Sequence, residues 1–194
     1  MSAQCKQGVA QADWFACERL ERVFAACFLA SCRTRLLGGA LEPLYQPAQE
    51  HGSEHLLWYR EDYFASALHE TAHWCIAGKA RRQQVDFGYW YAPDGRSQTQ
   101  QQAFEAAEFK PQALEWLFSG ACGFSFRVSA DNLNALDGAV PDNNDFRLRV
   151  FAQARYWQEY GLPVRAARFY DALCAEFGTT QAVGELHLAV EQLQ

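Results

Sequence analysis

The sequence predicts an α+β fold, a mostly helical single domain with a small sheet. Three observations predict it. Apolar residues recur at helical spacing along several segments, while short β-prone runs bounded by Gly, Pro or Asp fall between them. The chain has 194 residues, 49% hydrophobic and 14% aromatic, enough for one core and too apolar for a disordered chain. No internal repeat or low-complexity tract divides it, so residues 1–194 are expected to form one domain, with 1–12 as a flexible N-terminus.

The first helix is predicted from Asp13 to about Arg33, with Ala16, Leu20, Val23, Phe24, Cys27 and Phe28 on one side. Gly38-Gly39 closes that region. Inside it, VFAACFLASC ends in LASC, which looks like a bacterial lipoprotein cleavage box. Its flank carries Asp13, Glu18 and Glu21, where a secretory signal is basic, so the stretch is expected to be a helix.

Leu41 to Pro47 is β-prone, and His55-Leu56-Leu57-Trp58-Tyr59 reads as a second strand. Asp62 reads as the N-cap of a helix from Tyr63 to Ala77. Gly78 stops that helix, and Lys79, Arg81 and Arg82 complement its dipole. Val85 to Tyr91 is predicted as a strand running into the turn Pro93-Asp94-Gly95. Thr99-x-x-Gln102 can form a capping box for the next helix, which Pro111 interrupts or restarts. Beyond the polar loop Pro141-Asp142-Asn143-Asn144, helices are expected at Phe146–Tyr160, at Pro163–Phe177 and from Thr180.

Composition narrows the function. A net charge of −6 weighs against a nucleic-acid partner, which usually meets a basic face, and suits a cationic substrate instead. No stretch is long enough to span a membrane, so no membrane partner is expected. The seven cysteines are odd in number and form no C-x-x-C pair, so they are expected to be reduced thiols of a cytoplasmic protein.

The chemistry centres on HETAHWC, residues 69 to 75. On a helix His69 and His73 lie one turn apart on one face and can bind one divalent metal ion. Glu70 lies about 100° round the helix, where it can reach a metal-bound water. A third ligand is needed. Cys75 falls on a different face, so carboxylates of the following helix, Glu105, Glu108 and Glu115, are the natural source. Two histidines and one carboxylate serve either a catalytic zinc or a non-haem Fe(II) centre, and spacing alone does not choose. Residue chemistry by itself defaults to a zincin-like helix of a zinc peptidase or other hydrolase, with Glu70 deprotonating the metal-bound water. A non-catalytic binding protein stabilised by its metal is the other alternative.

The surrounding residues are more specific. ASALHETAHWCIAGKARRQQVDFGYWYAPDGRSQTQ and FEAAEFKPQALEWLF, with VSADNL, VFAACFLASCRTRLLGG and the ARFYDAL segment, closely resemble the bacterial elongation factor P hydroxylase family over roughly residues 15 to 175. The resemblance implies a monooxygenase that hydroxylates the lysine of translation elongation factor P after a β-lysyl group has extended it. It implies a metal, iron as Fe(II), with molecular oxygen as co-substrate. The metal-ligand role passes to His69 and His73, and the acidic ligand comes from FEAAEFKPQALEW, where Glu108 beside Lys110-Pro111 is favoured over Glu105. Glu70 becomes a catalytic residue beside the metal, relaying a proton or orienting a ligand. The substrate arm carries two ammonium groups, for which Asp86, Tyr89, Trp90, Tyr91 and Asp131 are candidates, although strand packing or a turn explains them as well. Trp74 and Trp116 are expected in the core, and Lys79 to Arg82 at a solvated helix end. No G-x-G-x-x-G spacing points to a dinucleotide or flavin.

Overall fold

A computed structural model of the chain describes residues 14–50, 52–86, 95–129 and 143–193. Helix α1 (Cys17–Cys32) leads into strands β1 (Thr34–Ala40), β2 (Leu44–Gln46) and β3 (His55–Arg60). Helices α2 (Phe64–Ile76), α3 (Gln98–Cys122), α4 (Asn144–Tyr160) and α5 (Val164–Phe177) follow. The sheet order is β1-β3-β2, with β3 parallel to β1 and antiparallel to β2. The fold is a mostly helical single domain with a three-stranded sheet, and no helix among the described residues is long and apolar enough to cross a membrane.

The helices are held by their apolar faces. Helix α1 buries Leu20, Val23, Phe24, Cys27 and Phe28, the face its periodicity marks. Phe24 and Phe28 meet Trp74 of α2 with ring centroids 5.1 and 4.7 Å apart, and Phe169 of α5 packs on the same pair. A fully buried Phe contributes about 1.5–3 kcal/mol. This three-helix contact fixes α2 more firmly than its ends do, since Tyr63 at the N-cap makes no side-chain cap bond. Arg165 of α5 adds a clamp by donating to the carbonyls of Trp74 and Ala77 at the other end.

Several boundaries differ from those the sequence predicts. Gly38 and Gly39 lie inside β1, beyond a helix that ends at Cys32. The N-cap of α2 is Tyr63, not Asp62. The capping box opening α3 is Ser97 with Gln100, two residues earlier than Thr99 with Gln102. Pro111 neither breaks α3 nor opens a helix, because α3 runs through it unbroken for 25 residues. Packing explains this: Pro111 and the residues from Gln112 to Ser119 are all buried, and that burial outweighs one lost backbone bond. The segment after Thr180 forms two short 3-10 turns, Val183–Glu185 and Val190–Gln192, not an α-helix. Of the strand expected at 85–91, Asp86 pairs with Tyr45, while 87–91, most of the following turn and residues 1–12 lie outside the described residues.

Candidate metal centre

Helix α2 presents His69, Glu70 and His73, and α3 packs against it with Glu108 and Glu115 two turns apart on one face. His69 Nε2 and His73 Nε2 lie 3.0 Å apart. The Glu108 carboxylate closes the triangle, with Oε2 3.3 Å from His69 Nε2 and Oε1 3.2 Å from His73 Nε2. These three side chains form the group among the described residues whose donor atoms could hold a metal ion.

The donor set fits a metal. Two ligands held cis on an ion at about 2.1 Å stand about 3.0 Å apart, close to the spacing of the two imidazole nitrogens. Two imidazoles and a carboxylate suit Zn(II) and Fe(II) alike. Glu108 is 6% exposed, so its charge is removed from water and held by the two histidines.

A second carboxylate orients His69. Glu115 Oε2 lies 2.8 Å from His69 Nδ1, which places the Nδ1 proton between them and leaves the Nε2 lone pair facing His73 and Glu108, where an ion would bind. Burial alone would lower the His69 pKa, but Glu108 and Glu115 outweigh it and hold the imidazole well above its usual value. Burial likewise works against the Glu108 carboxylate, yet the His73 and His69 imidazoles keep it well below the usual carboxylate range. For Glu115 burial outweighs the attraction of His69 and pushes the carboxyl up.

Beside this cluster is a cavity of about 310 Å³, lined by Glu70, His73, Trp74, Arg82, Asp86 and Glu108 among others. Glu70 is 6% exposed and burial pushes its carboxyl up. It stands on the cavity wall outside the three-donor group. Glu105 stays away, accepting from Gln101 Nε2 at 3.0 Å, and buried Cys75 is not among the grouped donors. Asp86 lines the cavity but is held by Arg81 at 2.6 Å. Tyr89, Trp90, Tyr91 and Asp131 lie outside the described residues. Trp74 and Trp116 are core residues, 3% and 7% exposed.

Sequence reasoning weighed Glu115 only as a ligand and missed its hold on His69. The signal was present: Glu108 and Glu115 are seven residues apart, two helical turns, so one face offers both a ligand and a support. It also missed the Arg165 clamp on α2, which sequence separation hides.

A family model described as elongation factor P hydroxylase matches residues 23–186. The chain belongs to the elongation factor P hydroxylase family. The elongation factor P lysine hydroxylase of Haemophilus influenzae is 44% identical over 162 residues, 84% of this chain and 89% of that protein. The match to the elongation factor P hydroxylase family takes in α2, α3 and every residue of the cluster. It also begins at Val23, so the apolar stretch ending in LASC belongs to the family domain and to the buried face of α1.

Proposed function

We propose that this chain is a metal-dependent monooxygenase that hydroxylates the β-lysylated lysine side chain of translation elongation factor P. The observation that carries the reading is the convergence of His69, His73 and Glu108 beside a cavity, in a chain similar over most of its length to an elongation factor P lysine hydroxylase. His69, His73 and Glu108 hold the ion, with α2 serving as a zincin-like metal helix. Iron(II) bound there would supply the activation of molecular oxygen that oxidation of an unactivated C–H bond requires.

The chain's own residues do the rest. Glu115 keeps His69 in the tautomer that binds. Glu70, buried on the cavity wall with its carboxyl pushed up, is the catalytic residue that carries a proton beside the ligands. A cavity of about 310 Å³ is at the small end of ligand sites, so it admits an extended lysine arm while the body of the partner protein stays outside. A cytoplasmic location follows from that partner, and neither nucleic acid nor membrane takes part.

The deciding experiment loads the purified chain with Fe(II) under air, adds β-lysylated elongation factor P and weighs the product. A gain of one oxygen atom is expected, and His69→Ala should give none. No gain with iron, manganese or zinc would remove the hydroxylase reading.

A further inference from the structure

A second space adjoins the cavity. It is an open groove of about 690 Å³ between the end of α2, α3, α4 and the start of α5. Ile76 lines both spaces, and Lys110 of the groove precedes Pro111 of the cavity on α3. Buried Cys75 and Trp157 belong to the groove's lining. Its rim is apolar and open to water. Val164 is 88% exposed and Tyr156 54%. Tyr160, one turn beyond Tyr156 on α4, is 66% exposed, and the two rings lie 4.8 Å apart.

Single exposed hydrophobic residues need no explanation, but a tyrosine pair and a valine gathered round one groove mark a contact surface. Tyrosine is among the residues that carry most of the binding energy at protein interfaces. The charged residues of the lining are Lys110 and Arg165, with no carboxylate in it among the described residues, although the chain's net charge is −6. The groove therefore suits a partner face of negative sign. The adjoining cavity has room for a side chain only, so the body of a protein substrate must rest on the surface beside it. We propose that this groove docks the substrate protein through an apolar side chain flanked by carboxylates. The apolar side chain seats against Tyr156 and Val164 over Trp157, and the carboxylates lie in the field of Lys110 and Arg165. Held there, the partner can pass its lysine arm beyond Ile76 into the cavity. Docking of this kind rests on the proposed function, which supplies the protein partner.

The test measures the affinity of the full zinc-loaded chain for β-lysylated elongation factor P by calorimetry. Val164 is the first residue of α5, where a glutamate suits the helix dipole. Val164→Glu sets a negative charge against the partner's carboxylates and should weaken binding at least about tenfold, Val164→Lys clearly less. Tyr156→Ala should also lose at least about tenfold. Leu41→Glu makes the same change of net charge at an exposed residue that lines neither space, and should bind like wild type. Wild-type affinity in Val164→Glu and Tyr156→Ala overturns the proposal. So does an equal loss in Val164→Glu and Val164→Lys, which would remove the acidic face, and so does a wild type with no measurable affinity. Thermal melting is the second readout. Val164→Glu should melt with wild type, and a clearly lower melting point would mean that the chain itself covers the groove, which sinks the docking site. Turnover separates this outcome from the proposed function. With Fe(II) under air, Val164→Glu and Tyr156→Ala should raise KM and leave kcat unchanged. Selective loss of binding in a chain that never adds oxygen would lose the proposed function and keep the groove. Normal hydroxylation with unchanged KM in both variants would lose the groove alone.

Discussion

His69 Nδ1 and Glu115 Oε2 lie 2.8 Å apart, in a contact that joins α2 to α3 behind the candidate metal ligands. Carboxylates placed this way fix the tautomer and ring orientation of a ligating histidine, and their loss weakens metal binding by about 10–100-fold. Glu115→Ala should therefore bind metal about 10–100-fold more weakly in competition with a chelating dye. Glu115→Gln keeps an acceptor oxygen and should lose less. Wild-type affinity in both variants would reduce Glu115 to a packing residue.

Proton and metal compete at His69, which sets a pH dependence. In the metal-free chain the carboxylates of Glu108 and Glu115 overcome burial and hold the His69 pKa above its unfolded value of about 6.5. The stability this provides is complete below about pH 6.5 and is lost as pH rises through the raised folded value. A metal needs the neutral imidazole, so metal affinity should climb through the same window, each ion displacing a proton. Calorimetry in buffers of different ionisation enthalpy measures that release. Affinity independent of pH above about 6.5 would show that His69 is already neutral.

The features that were legible in the sequence are those set by local periodicity. The buried face of α1 and the one-turn spacing of His69 and His73 both follow from 3.6 residues per turn. Glu108 was favoured over Glu105 for an expected break at Lys110-Pro111 that the helix does not contain; packing against α2 is what puts Glu108, and not Glu105, beside the two histidines. Pro111 misled because the proline rule is local, whereas burial of its helix is tertiary. Gly38-Gly39 looked like a boundary, yet Gly38 is needed inside a strand for an approach by Tyr59, two strands away in sequence. Arg165 reaches α2 from 91 residues away, and no pattern in the chain announces it.

Thiol chemistry should sort the cysteines by burial. Cys17, Cys27, Cys75 and Cys122 are buried free thiols, whereas Cys32 and Cys174 are partly exposed. Burial, helped by a hydrogen bond with Asp62, pushes the Cys17 thiol up to about 12, and burial raises Cys75 and Cys122 as well. A buried neutral thiol is a poor nucleophile. Near pH 8, roughly the ordinary thiol pKa, a disulfide reagent should label Cys32 and Cys174 in the native chain, and buried Cys17, Cys27, Cys75 and Cys122 only after denaturation. Peptide mapping reads the sites. Rapid native labelling of Cys75 would mean that α2 opens readily beneath His69 and His73.

Gly38 and Tyr59 give the sharpest test of packing between β1 and β3. A Cβ on Gly38 would stand 2.6 Å from the Tyr59 hydroxyl, 2.7 Å from its ring carbon and 2.9 Å from the Glu61 carbonyl. Tyr59 is 1% exposed and cannot swing outward, and its hydroxyl donates to Glu21 Oε1 at 2.8 Å while the Gly38 N–H donates to the same oxygen at 3.1 Å. Gly38→Ala should therefore destabilise the chain by about 1–3 kcal/mol, the usual cost of overpacking, measured by urea unfolding. Gly39, with φ of +90° and nothing within 4 Å of an added Cβ, separates backbone strain from packing. Adding Tyr59→Phe removes one of the three clashing atoms, so it should recover part of the loss in Gly38→Ala and none in Gly39→Ala. Purely additive effects in the first pair would show that the hydroxyl is not what the added methyl meets.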